Sequence, residues 1–132
     1  MQIPSLPIDW QKTWKNLSFT ELAVAVLRLY ISPDEIGEGD VRGLVERSFS
    51  TFRHEAVTPL RKLEGRQGEG LYVLELFHGP TFAFKDVALQ FLGNLFEFFL
   101  KRRNARKAPG ESQERLTVIG ATSGDTGRYG IS

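Results

Sequence analysis

The residues best placed to do chemistry lie in one stretch, His78-Gly79-Pro80-Thr81-Phe82-Ala83-Phe84-Lys85-Asp86. It sets a lysine at the opening of a strongly apolar helical pattern, just after the strand-like run Leu71 to Leu76. The first turn of a helix carries positive partial charge, so a cation is disfavoured there and Asp or Glu preferred. Neighbouring Ala83 and Phe84 add desolvation, which also disfavours an ammonium. Both effects favour the neutral amine that attacks a carbonyl to form a Schiff base. The competing reading is a surface lysine whose stem packs on Phe84 while its head reaches water.

Thr81 is expected to cap this helix, and Gly79-Pro80 to shape the turn before it. His78 has the side chain most suited to proton transfer near neutrality, though bonding to local backbone is the simpler role for a turn histidine. Asp86 suits a helix start on dipole grounds, and orienting Lys85 is a further role open to it. Phe82 and Phe84 are expected to pack rather than to stack on a ligand. A second polar loop, Thr122-Ser123-Gly124-Asp125-Thr126-Gly127, offers hydroxyls and glycine-relaxed amides where a helix would begin. Such a loop can nest an anion, or merely cap with Ser123 or Asp125. It lacks the Gly-Lys-Ser/Thr ending of a Walker-type phosphate loop.

These loops need elements to hold them. Ser18 to Ile31 reads as a helix, with Ser18 and Glu21 as a capping box and Leu22, Ala25, Val26 and Leu29 as its stripe. Pro33 ends it. A second helix runs from Asp40, as N-cap, to about Phe52, with Val41, Leu44, Val45, Ser48 and Phe49 on one face. Residues 54–70 read as connection, with a short extended piece at Thr58 to Leu60. Leu71 to Leu76 is a buried strand candidate, and Phe84 to Arg103 a long helix. Val87, Phe91, Leu95 and Phe98 line one face of that helix, with Ala88, Leu92, Phe96 and Phe99 beside it. So broad an apolar surface predicts cover on more than one side. Lys101 to Lys107 forms a basic helix end, either a phosphate-backbone site or a solvated cluster that offsets the helix dipole. Leu116 to Gly120 reads as a second strand feeding the polar loop. Strand, helix and strand suggest a parallel unit with ligand loops at the strands' carboxyl ends.

HGPTFAFKD resembles the cofactor-lysine motif of threonine synthases, and ATSGDTG (Ala121 to Gly127) is similar to a second motif of that family. The resemblance continues through LSFTELAVAVLRLYI, SFSTFRHEAVTPL and DVALQFLGNLFEFFL, and looks nearest to the fungal type. It implies pyridoxal 5'-phosphate, bound covalently at Lys85, and conversion of O-phosphohomoserine and water to threonine and phosphate. Lys85 would be both cofactor-binding and catalytic, moving protons once substrate displaces it. Thr122, Ser123, Gly124, Asp125 and Thr126 would grip the amino-acid part of the substrate.

The fold implied is α/β: a helical N-terminal segment (residues 1–70) lacking its extreme N-terminus, then the start of a parallel-sheet catalytic domain (residues 71–132). That domain would be tryptophan synthase beta-like, of fold type II, and cut short after the TSGDTG loop. Arg128 to Ser132 depart from the family's continuation, and its glycine-rich loop for the cofactor phosphate is not recognisable here. The piece alone is therefore expected to be inactive. A non-catalytic product that presents its apolar helix to a partner is the alternative, and dehydratases or cysteine-forming synthases are a weaker kinship.

Bulk properties fit. A chain of 132 residues that is 41% apolar suits an ordinary domain. A net charge of +1 gives no general drive toward nucleic acid or an anionic membrane. With no cysteine there are no disulfides or thiolate metal sites, and no metal ligands are assigned. The start lacks a secretory pattern, and Phe84 to Leu100 is too interrupted to span a membrane. A cytoplasmic protein is expected; its oligomeric state is left open.

Overall fold

The computed structural model describes residues 3–64 and 70–121. Along them run α1 (Trp10–Thr13), α2 (Phe19–Leu27), α3 (Glu38–Phe49), β1 (Leu60–Lys62), β2 (Tyr72–Leu74) and α4 (Asp86–Asn104).

The start of α2 is fixed by local chemistry. The Ser18 hydroxyl accepts from the Glu21 amide, and the Glu21 carboxylate accepts from the Ser18 amide at 2.8 Å. Two of the amides that a helix start leaves unsatisfied are thereby answered. These bonds from Ser18, backbone first, hold the Glu21 carboxyl below its ordinary range. The expected stripe is displaced, however. Leu22 and Val26 are exposed, while Val24 is buried and Ala23, Leu27 and Ile31 pack on the core. Because α2 is apolar nearly all round, periodicity could not choose its inner face; contact with α3 does.

Helix α3 buries Val41, Leu44, Val45 and Ser48, as its spacing predicts. Its N-cap is Gly37 rather than Asp40, which falls within the first turn beside Glu38, where negative charge suits the dipole. Phe49 joins the helices edge-to-face, 4.8 Å from Phe19 and 5.4 Å from Phe52. Arg28 closes the α2–α3 connection by donating to the Ile36 carbonyl at 2.9 Å.

Helix α4, like α2, packs against α3, and the three helices share one core. Phe91, Leu95 and Phe98 reach the core formed by Val24, Ile36, Val41, Leu44 and Val45. Among them runs one polar contact: Asn94 donates to Ser48 at 3.1 Å, and Ser48 to the Leu44 carbonyl at 2.6 Å. The second apolar face is not covered; Leu92, Phe96 and Phe99 stand exposed. The basic end of α4 is a solvated, paired cluster. Lys101 meets Glu97, Arg102 donates to the Glu35 carbonyl, and Arg103 and Lys107 face Glu114.

Both strand expectations need correction. β2 covers only Tyr72–Leu74, pairs antiparallel with β1 (Leu60 opposite Leu74), and is exposed on both faces. Leu116 to Gly120 is not a strand, and Ile119 is 90% exposed. A strand must satisfy its backbone through neighbours, and among the described residues these segments have at most one partner strand. No helix among the described residues is long and apolar enough to cross a membrane.

Candidate functional site

The chain between β2 and α4 turns tightly to deliver Lys85 to the head of α4. Lys85 is itself the N-cap residue, in right-handed helical conformation (φ −63°, ψ −23°), and is half-buried. Its Nζ lies 6.0 Å from the centroid of the Phe84 ring. The helix thus begins one residue beyond the amine, close to where the sequence places it.

Thr81 does not cap the helix. It donates instead, from its amide at 2.9 Å and its hydroxyl at 2.6 Å, to the two carboxylate oxygens of Asp86. Asp86 is 1% exposed, so its charge is removed from water and met by these bonds. The result is a clasp across five residues, with Lys85 adjacent to its anchor. Gly79 lies so close that a Cβ there would collide with the Asp86 side chain, which explains a glycine at this buried point.

A second set of bonds comes from Arg53, in the connection after α3, a residue with no local pattern to single it out. Its amide donates to the His78 carbonyl at 2.9 Å, and its guanidinium to the carbonyls of Gly79 and Pro80. The same guanidinium lies 4.1 Å from the centroid of the Phe82 ring. Phe82 has φ 63°, in the left-handed region where a bulky residue is an outlier. The packing expected of Phe82 and Phe84 is not found: they are 63% and 61% exposed.

His78 also differs from expectation. Its Nε2 bonds the Glu75 carboxylate at 2.7 Å rather than backbone, and Arg61 approaches the same carboxylate at 3.7 Å. The His78 ring lies against those of His54 and Phe77, at 4.9 and 4.6 Å between centroids.

The four amides from Asp86 to Leu89 bond to the carbonyls of Ala83, Phe84 and Lys85. This helix start therefore has little left to offer an anion, while the lysine amine suits a carbonyl-bearing group. Thr122, Ser123, Gly124, Asp125 and Thr126 lie outside the described residues.

Residues 1–49 match the family description "Threonine synthase N terminus". The chain is 58% identical over 130 residues to the threonine synthase of Schizosaccharomyces pombe, covering 98% of this chain and 24% of that protein. The crystal structure of yeast threonine synthase superposes with a TM-score of 0.85 at 53% identity, over 96% of this chain and 25% of that one. A PLP-bound threonine synthase from Brucella melitensis gives a TM-score of 0.70 at 37% identity, over 78% of this chain and 21% of that one. The chain thus spans about a quarter of the length of the curated relatives it matches.

Proposed function

We propose that this chain, which matches the N-terminal portion of threonine synthases, holds the cofactor lysine of such an enzyme, with Lys85 in that role. The single observation that supports this most is the turn itself. Lys85, half-buried at a helix head, adjoins the buried Thr81–Asp86 clasp, and the turn before it is bound by Arg53. The reaction proposed is conversion of O-phospho-L-homoserine and water to L-threonine and phosphate. Pyridoxal phosphate, when bound, supplies an electron sink for bonds broken at the substrate's carbons.

The residues here do the holding. Lys85 fits the aldehyde end of the cofactor, and once released its Nζ can carry a proton between substrate carbons. The bonded amides at the head of α4 direct the cofactor's phosphate to donors elsewhere. Thr122, Ser123, Gly124, Asp125 and Thr126 are proposed to bind the substrate's amino-acid part. In the whole enzyme, residues 1–70 belong to the N-terminal helical domain. Residues 71–132 open a parallel-sheet catalytic domain of fold type II, with strands that gain their missing neighbours there. The enzyme is proposed to be cytoplasmic.

Borohydride reduction of the full-length holoenzyme followed by peptide mapping tests the assignment. The label is expected at Lys85; a label at Lys62 or Lys101 instead would defeat it. The 132 residues alone are expected to release no phosphate from O-phosphohomoserine, because positioning of reacting groups supplies much of the rate. Release above that of a Lys85→Ala control would contradict this.

A further inference from the structure

We infer that Arg53 is a positioning residue for Lys85, acting from the helical region on a turn 25 residues further along the chain. The inference rests on the reading of Lys85 given above. Its grounds are geometric. Arg53 engages four residues of one turn: the carbonyls of His78, Gly79 and Pro80, and the ring of Phe82. One planar guanidinium can serve adjacent carbonyls and cover an aromatic face at once, which a lysine ammonium cannot do. Phe82, under that guanidinium, is the one residue of the turn with φ in the left-handed region. Backbone in that region persists only where its surroundings hold it, and here the Arg53 guanidinium covers the Phe82 ring while the adjacent Thr81 is tied to Asp86. Lys85 is three residues beyond Phe82 and adjoins the clasp. Release of the clamp would let the turn relax and swing the amine from its place.

The test is made on the full-length enzyme, stripped of cofactor and reloaded with pyridoxal phosphate. The rate of borohydride trapping at Lys85 is read by peptide mapping, with the thermal midpoint measured alongside. Arg53→Met is expected to slow trapping at Lys85 about tenfold, since small misplacements of reacting groups carry large rate penalties. Labelling of surface lysines such as Lys62 should be unchanged. Arg53→Lys should be impaired to a similar degree. Adding Phe82→Gly to Arg53→Met removes the need to hold a strained residue, and should restore part of the rate.

Wild-type trapping at Lys85 in Arg53→Met would overturn the inference. So would a loss that merely follows the unfolded fraction, or the absence of any recovery in the double variant. Failure of wild-type enzyme to label at Lys85 would instead overturn the functional reading on which this one rests.

Discussion

Helix α3 and the ribbon β1–β2 both carry aliphatic side chains, yet these meet water very differently. Val41 and Val45 are 0% exposed and Leu44 is 1%, whereas Leu60 is 63% and both Leu71 and Leu74 are 54%. The difference lies in how each element answers its own backbone. A helix closes its hydrogen bonds internally and needs only one partner for its apolar stripe. A strand needs a neighbour on each edge, and a face to cover it, before its side chains are buried. Two paired strands of three residues each have neither. The helical region therefore forms an interior, while the ribbon, among the described residues, stays open to water.

Substitution on the two sides of that divide gives the sharpest test. Leu44→Ala should cost about 2–5 kcal/mol, as for a leucine removed from a closed core. Leu74→Ala should stay within about 0.5 kcal/mol in the same 132 residues. Denaturant titration of the two variants measures both. A comparable loss for Leu74→Ala would show that the ribbon is packed in solution and would break the contrast.

A smaller effect asks how much of the helical advantage is local. The Glu21 carboxyl is held below its ordinary range by the Ser18 amide and hydroxyl. A carboxyl depressed on folding adds stability above its unfolded pKa, and that stability is lost as pH falls through the folded value. Thermal midpoints measured down an acid series should therefore fall less steeply in Glu21→Gln than in the parent chain. Parallel acid limbs would show that α2 is held by packing on α3 alone.

The sequence was most legible where one element decides its own conformation. The Ser18–Glu21 box and the Val41, Leu44, Val45, Ser48 face of α3 are local matters, and both are found. Legibility failed where a distant element decides. The inner face of α2 is chosen by α3, and Leu71 to Leu74 stay exposed because one antiparallel partner strand does not cover them. At the site, the position of Lys85 at a helix head was readable from Asp86 and the apolar run after it. The pairing of Thr81 with Asp86 was not, since both suit a helix start for commoner reasons. Arg53 fell within a segment of family resemblance, but nothing local marked its role, because what it grips lies 25 to 29 residues away.

The Asn94–Ser48 bond has a consequence well beyond its own small energy. Apolar side chains along α3 and α4 would tolerate sliding of one helix past the other, but a hydrogen bond between two named atoms permits one alignment. Lys85 lies nine residues before Asn94 on the same rigid rod, hence about 14 Å along its axis at 1.5 Å per residue. A slip of one helical turn would carry the amine about 5.4 Å from its place. That half-buried amide thus serves as the index mark of a ruler, setting how far the reactive end of α4 projects past α3.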